Sequence, residues 1–424
     1  MRLSLSNQDS VGIIAGGGQV PAEIANAIVS RGECVYVLAI NENISRDLLA
    51  YPCNFISLGQ ISRMLRLLRQ NRCKRIIIAG YLKRPDLSKV RVDLGFFFHF
   101  CSILSFLRGG DDYVLSRVVR FFERKGFVVV GIPALAPELI IKEGLLTGQD
   151  LAGNEIEDVC FGYELLQKLG QFDIGQAIVV RNRKIIAIEG VDGTDAMLCR
   201  LARSIEEGSV NTGILVKATK PGQELRIDLP TIGTATVAAC NKSGIKTIAL
   251  EAQNTIIAER EKTISLANTV GVSILGFPAI QDRLNEIDNT IIQAKELTCL
   301  TSCVANAQHL ADACKVLMAM RIISTHTLKP SMIIARHHIL SINLEEPLEL
   351  FIVRARTQLQ WGDAIKKKKL KLLAISSHAE ITTTLLHVLA ANNFAGIVIN
   401  YGTYVSTEFL KIANHLRLFI LVHA

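Results

Sequence analysis

The densest set of chemistry-bearing residues lies at 217–233, KATKPGQELRIDLPTIG. Lys217, Lys220 and Arg226 bring three cations, Glu224 and Asp228 two acids, and Gln223 a neutral amide. Pro221-Gly222 and Pro230 bound the run, and proline fixes the backbone around it. A stiffened loop of this kind is preorganised for an anion. The cations suit phosphate oxygens. Asp228 suits either a general base toward water or an oxygen ligand to a metal. A solvated surface loop is the ordinary fate of so polar a run, and the prolines set this one apart.

Four further groups could touch a ligand. Gly16-Gly17-Gly18 follows an apolar run and opens a helical one, so the backbone of Gly17 and Gly18 and the helix dipole suit a phosphate. As a dinucleotide fingerprint it reads Gly16-x-Gly18-x-x-Pro21, without the third glycine. A ligand-free tight turn is the alternative. Lys83 and Arg84 in AGYLKRPDL leave a strand end, where α/β sheets place their ligand crevice. Asp111 and Asp112 follow Arg108-Gly-Gly and either cap a helix or hold a cation or sugar hydroxyl. Thr194 and Asp195 open another helix, with Thr194 as the cap and Asp195 matched to the dipole.

Histidine is nearly missing from this half: of nine, only His99 precedes residue 300. A His-rich dinuclear metal site is therefore excluded there, and so is a Ser-His-Asp triad unless His99 serves. His99 sits among phenylalanines, which reads as a core or interface residue. The ten cysteines contain no CxxC pair, and Cys299 and Cys303 have no second pair at zinc spacing. With a polar start, MRLSLSNQDS, they read as free thiols in a reducing cytoplasm.

These residues need a scaffold, and the chain has the material for one. Its 424 residues suggest three domains, or two and an extension, at roughly 150 each. Hydrophobic residues make 49% and charged ones 20%, which excludes a disordered chain. A net charge of +8 without an aromatic-rich basic tract favours an anionic small molecule or a membrane surface over nucleic acid. The basic run at 366–371 reads as a solvated loop. No 18-residue apolar run occurs, so no span is expected. The stretch 94–107, with FFFHFCSILSFL, is too short to cross.

Strands at 11–15, 34–40, 75–79 and 127–130 alternate with helices at 19–30, 60–70 and 111–125. Continuous apolar strands between helices imply a parallel sheet covered on both faces. Next come a helix at 154–169, paired strands at 177–180 and 185–188, a helix at 194–204, a strand at 213–216 and the polar loop. A helix at 234–242 and strands at 247–250 and 272–275 close this unit. The expected class is α/β: a Rossmann-like domain at 1–150, a second mixed domain at 151–278, a linker at 279–304, and a third domain at 305–424. The third reads as a degenerate copy of the second. IVVRNRKIIAIE (178–189) answers to MIIARHHILSIN (332–343), SGIKTIALEA to NNFAGIVINY, and LANTVGVSIL to IANHLRLFIL, in order. The copy has nothing matching the polar loop, and Thr194-Asp195 becomes Leu348-Glu349.

IIAGGGQVP, IIAGYLKRPDL, RGGDDYVL, DIGQAIVV, GVDGTDAML, VKATKPGQELRIDLPTIG and TIALEAQ, taken in order, resemble the UDP-2,3-diacylglucosamine pyrophosphatases of lipid A synthesis, alphaproteobacterial type. The resemblance covers about 10–278. It implies hydrolysis to 2,3-diacylglucosamine 1-phosphate and UMP, by water attack on the β-phosphorus, with Mg²⁺ (or Mn²⁺) assisting. It places the essential acid at Asp228. Asp195 joins Asp228 as an expected metal ligand, hard oxygen donors being sufficient for Mg²⁺. Gly17, Gly18, Lys83, Arg84, Asp112, Thr194, Asp195, Lys217, Lys220, Gln223 and Arg226 are the expected substrate contacts. The sequence departs from the family at Gln253, where glycine is usual after Glu-Ala. The expected partners are the UDP-lipid and its product, with no nucleic acid. A homodimer and peripheral contact with the inner membrane from the cytoplasmic side are further expectations, and 96–106 is a candidate acyl groove. Two other readings remain: a nicotinamide-dependent oxidoreductase built on the glycine turn with Glu42, and a non-catalytic nucleotide-sugar binding protein. NADH fluorescence separates the first, turnover the second.

Overall fold

The computed structural model describes residues 9–40, 44–81, 93, 111–149, 151–204, 213–279, 292–327, 329–344, 346–355, 369–376, 381–400 and 405–423, without the side chains of 111–113 and 204. Contacts group the chain into two compact units. The first holds Met1–Gly148, Gly222–Ala238 and Leu250–Pro278; the second holds Gln149–Pro221, Ala239–Ala249 and Ala279–Ala424. The grouping does not follow the chain order of the expected domains.

In the first unit, β1 (Ser10–Ala15), β2 (Cys34–Ala39), β3 (Cys53–Phe55), β4 (Cys73–Ala79) and β5 (Val128–Val129) form one sheet in the order β3-β2-β1-β4-β5. Every pairing is parallel. Successive side chains of a strand point to opposite faces, and both faces of this sheet are covered. Ile13, Val37 and Ile77 pack with Ile24 and Ile28 of α1 (Val20–Ser30). Their neighbours Ile14, Leu38 and Ile76 pack with Met64 and Leu68 of α2 (Ile61–Gln70) and with Val119 and Phe122 of α3 (Asp111–Arg124). Continuous apolar strands are what such double cover requires. The strand order reverses between β1 and β4, which sets the ligand crevice of such sheets at their carboxyl ends.

After β6 (Gly144–Thr147) the chain enters the second unit with α4 (Gly153–Gly170). There β7 (Ala177–Arg181) pairs antiparallel with both β8 (Lys184–Ile188) and β9 (Ile214–Lys217), and α5 (Thr194–Ser204) joins the last two. The hairpin turn places Asn182 and Arg183 at φ 51° and 56°, the left-handed pair that a two-residue hairpin demands. Asp158 of α4, buried, accepts both turn amides, from Asn182 at 2.8 Å and Arg183 at 2.6 Å. Then follow β10 (Thr231–Ile232), α6 (Thr234–Lys242), β11 (Thr247–Glu251), β12 (Ile256–Ile257), α7 (Arg260–Val270) and β13 (Ser273–Phe277). In the first unit β10 pairs parallel with β12, and β13 pairs antiparallel with β6. Sequence reading misses α7 because its buried residues are only Thr263 and Ala267, too little apolar surface to show a period.

The rest of the second unit is a complete sheet of its own. β14 (Leu297–Cys299), α8 (Ala307–Ser324), β15 (Ser331–Ala335), β16 (His338–Asn343), α9 (Leu348–Arg354), β17 (Lys371–Ile375), α10 (Thr383–Ala391), β18 (Phe394–Ile399), α11 (Thr407–His415) and β19 (Phe419–His423) follow in turn. The sheet order is β14-β19-β18-β17-β15-β16. Residues 297–299, expected within a linker, are instead a strand paired antiparallel with β19. Three residues are too few to show alternation. Among the described residues no helix is long and apolar enough to cross a membrane. The described cysteines are free thiols.

Gln253 takes φ 65°, which explains why glycine suits this position. A left-handed L-residue costs about 1–2 kcal/mol, and glycine returns about 0.5–1 kcal/mol of that as unfolded-chain freedom. Gln253→Gly is expected to raise unfolding stability by about 0.5–1 kcal/mol. Urea titration reads it, and a loss of stability contradicts it.

Candidate active site

At the switch point of the first unit, the glycine turn and the end of β4 lock together. Gly17 N donates to Tyr81 O at 2.8 Å and Tyr81 N donates to Gly17 O at 3.0 Å. A Cβ on Gly17 would stand 2.7 Å from the Tyr81 ring, and one on Gly80 would stand 2.6 Å from Gly17 O and 2.8 Å from Pro21 Cγ. Pro21, in the place of the fingerprint's third glycine, thus packs where Gly80 makes room. The Gly17 amide is engaged with Tyr81, so its described role is close approach. Gly18, at φ 94°, lets the chain turn into α1.

The segment 222–230 belongs to the first unit as well. Gly222 turns the chain at φ 79°, and the amides of Ile227 and Asp228 both donate to Glu224 O at 3.0 Å, closing one helical turn. Buried Gln223 ties the turn shut: its Nε2 donates to Asp228 Oδ2 at 2.6 Å and to Asp228 O at 3.1 Å. The Asp228 carboxylate is thereby oriented by the Gln223 amide. Arg226 forks onto Glu224, Nε to Oε1 and Nη2 to Oε2 at 2.8 Å each, and reaches Glu123 of α3 at 2.8 Å through Nη1. The hydrogen bond from Arg226 holds the Glu224 carboxyl below its usual range, and the same pairing raises the guanidinium. Beside this turn lies a cavity of about 880 Å³ with Pro133, Pro137, Ile141, Leu225 and Leu229 as apolar lining and Arg226 in its wall.

The second unit holds a buried polar triad. Lys217 ends β9, Thr194 opens α5 and Glu189 follows β8, and each is less than a tenth exposed. Lys217 Nζ donates to Thr194 Oγ1 at 2.9 Å, and that hydroxyl donates to Glu189 Oε1 at 2.9 Å. Gln176 N donates to the other Glu189 oxygen at 2.8 Å. Asp195 and Lys217 both act on buried Cys240, whose thiol is raised first by burial and then by Asp195, with Lys217 opposing. Lys220 pairs with Asp173 at 2.6 Å, and buried Gln167 holds the adjoining backbone through Thr219 O at 2.9 Å.

The structure thus brings Gln223 to Asp228, and Thr194 to Lys217. It gives Arg226 and Lys220 carboxylate partners. Asp173, Glu123 and Gln167 escape sequence reading because they are distant in the chain from their partners, and Glu189, five residues before Thr194, because it reads as the end of a strand. The only sequence signal is a glutamate closing an apolar strand at IIAIE. Lys83, Arg84, His99, Glu42 and 96–106 lie outside the described residues. Asp112 is on α3, with its side chain outside them. Among the described residues no three His, Cys, Asp or Glu side chains gather to hold a metal. The described residues alone therefore do not make a metal cage, and Asp228 and Asp195 belong to different units.

Comparison with known proteins gives two matches end to end. The LpxI N-terminal domain matches residues 10–139, and the LpxI C-terminal domain matches residues 142–275. The UDP-2,3-diacylglucosamine pyrophosphatase LpxI of Caulobacter vibrioides is 33% identical over 270 residues, 63% of this chain and 96% of that protein.

Two outcomes follow from this geometry. Lys217→Met removes the ammonium that donates to the buried Thr194 hydroxyl, and stability should fall by about 1–3 kcal/mol; chemical unfolding reads it, and an unchanged midpoint contradicts it. Glu224 has a lowered folded pKa, so its contribution is present above its ordinary value of 4.5 and disappears as pH falls through the folded value. Stability of the wild type should therefore drop more steeply below about pH 4.5 than that of Glu224→Gln. Parallel acid melting curves contradict the pairing.

Proposed function

The chain belongs to the LpxI family, and from that membership we infer that it hydrolyses UDP-2,3-diacylglucosamine to 2,3-diacylglucosamine 1-phosphate and UMP in lipid A synthesis. The observation that carries this is the match of both family domains across residues 10–275, with 33% identity to the Caulobacter enzyme over 96% of its length. It favours a phosphoric-anhydride hydrolase over a nicotinamide-dependent oxidoreductase. Turnover of the UDP-lipid separates the hydrolase from a non-catalytic binding protein.

We assign the base to Asp228. A water oxygen bonds to the β-phosphorus, Asp228 takes its proton, and the bridging oxygen leaves with UMP. The Gln223 amide supports this assignment, since it holds one carboxylate oxygen and so orients the group. Arg226, Lys217 and Lys220 are proposed as partners for phosphate oxygens, and Gln223, Thr194 and Asp195 as polar contacts. Arg226 would exchange part of its bonding to Glu123 and Glu224 for phosphate. Gly17, Gly18, Lys83, Arg84 and Asp112 complete the proposed contacts. The apolar cavity beside Arg226 suits an acyl chain. Mg²⁺ or Mn²⁺ belongs to the proposal as a counter-ion to the pyrophosphate, with Asp228 and Asp195 as candidate oxygen ligands. A diacylated substrate also supports peripheral contact with the inner membrane.

Asp228→Ala is expected to lower turnover by about 10²-fold or more while the substrate still binds. Steady-state rates and equilibrium binding check it, and a variant keeping a tenth of the activity refutes the assignment. EDTA is expected to abolish turnover and Mg²⁺ or Mn²⁺ to restore it. Full activity after exhaustive chelation contradicts the metal requirement.

A further inference from the structure

The tail repeats the series of elements found from α4 to β13. An 18-residue helix, a hairpin, and then alternating helices and strands run from α4 to β13 and again from α8 to β19, apart from the two-residue β10 and β12. Local details recur at a constant offset. Asp158 and Cys160 of α4 answer to Asp312 and Cys314 of α8. Asp158 accepts the amides of the β7–β8 turn, and Asp312 accepts His337 N of the β15–β16 turn at 2.8 Å. Both turns carry two left-handed residues, Asn182-Arg183 and Arg336-His337. Both hairpins shift register at the same place, Val179/Val180 and Ile333/Ile334. In each, the first strand also pairs antiparallel with the next strand of the series.

The polar triad does not recur. At the same offset Glu189 becomes Asn343 and Thr194 becomes Leu348. Lys217 stands opposite Ala177, and in the copy Ile375 stands opposite Ser331. The core residues persist, and the cation, hydroxyl and carboxylate are gone together.

The two copies touch reciprocally. Helices α4 and α8 are in contact. Phe161 of α4 meets His326, just past α8, edge to face at 4.9 Å between ring centroids. Lys315 of α8, the counterpart of Phe161, interacts with Asp173, which stands just past α4. His338 of the second hairpin approaches Asp173 at 3.9 Å, and Arg183 of the first hairpin acts on His326. At the same offset His326 answers to Phe172 and Asp173 to Thr327, so the pairs exchange roles to within one residue, the pattern of a pseudo-two-fold interface.

We propose that the C-terminal copy is a built-in second protomer that docks on the first copy by a pseudo-two-fold through α4 and α8, fills in cis the face a homodimer would fill in trans, and carries no active site. Its docking face includes Asp173, the partner of Lys220. The assignment stands apart from the reaction proposed above.

The test uses the full chain carrying Phe161→Cys and His326→Cys, coupled by a short bismaleimide and digested for peptide mass analysis. The expected product is a 161–326 link at single-chain mass. The same link at twice that mass, or no such link, overturns the proposal. A second measurement guards against a poorly folded variant: thermal melting of Phe161→Ala, His326→Ala and the double substitution. The double is expected to melt close to the weaker single, because the two residues share one contact. Fully additive losses mean that the contact is absent and overturn it.

Discussion

A lysine that is 5% exposed is the constraint on which the second unit is organised. An ammonium group removed from water needs both a charge partner and hydrogen-bond acceptors. Lys217 donates to the Thr194 hydroxyl, which relays to the Glu189 carboxylate. The three residues close the end of β9, the start of α5 and the end of β8 on one another. Any ligand contact offered by Thr194 or Asp195 therefore inherits its position from this buried charge. The C-terminal copy makes the dependence visible: once the lysine counterpart is Ile375, the hydroxyl and carboxylate counterparts are Leu348 and Asn343 as well. A half-kept triad would leave an unpaired buried charge, which is worse than none.

The first unit solves a different problem at 222–230. The segment is rich in charge, yet nearly every charge is paired within reach: Arg226 with Glu224 and Glu123, and Asp228 with the neutral Gln223. Bidentate pairing makes the turn rigid. Gln223 orients the Asp228 carboxylate by holding one of its oxygens at 2.6 Å. The cavity along Leu225, Arg226 and Leu229 places apolar lining and a guanidinium in one wall, the combination an acylated, phosphorylated ligand calls for.

Much of this was legible in the sequence, and for identifiable reasons. Strands such as VGIIA and RIIIA are continuous apolar runs, and α1 and α4 begin and end within a residue of their expected limits. The loop at 217–233 announced itself by charge and proline. The partners did not, because Asp173, Glu189 and Glu123 are ordinary carboxylates until the fold brings them to Lys220, Thr194 and Arg226. The glycine turn looked like a phosphate cradle. Only the structure shows Tyr81 hydrogen-bonded to Gly17 on both sides of its peptide. The two-residue strands β10 and β12 and the three-residue β14 are too short for any period to register.

We propose that water, activated at Asp228, attacks the β-phosphorus of UDP-2,3-diacylglucosamine. Hydrolysis in ¹⁸O-enriched water with mass analysis of both products tests it most directly. The account predicts one ¹⁸O atom in 2,3-diacylglucosamine 1-phosphate and none in UMP. Label in UMP, or no hydrolysis of this substrate by the full chain, would contradict it.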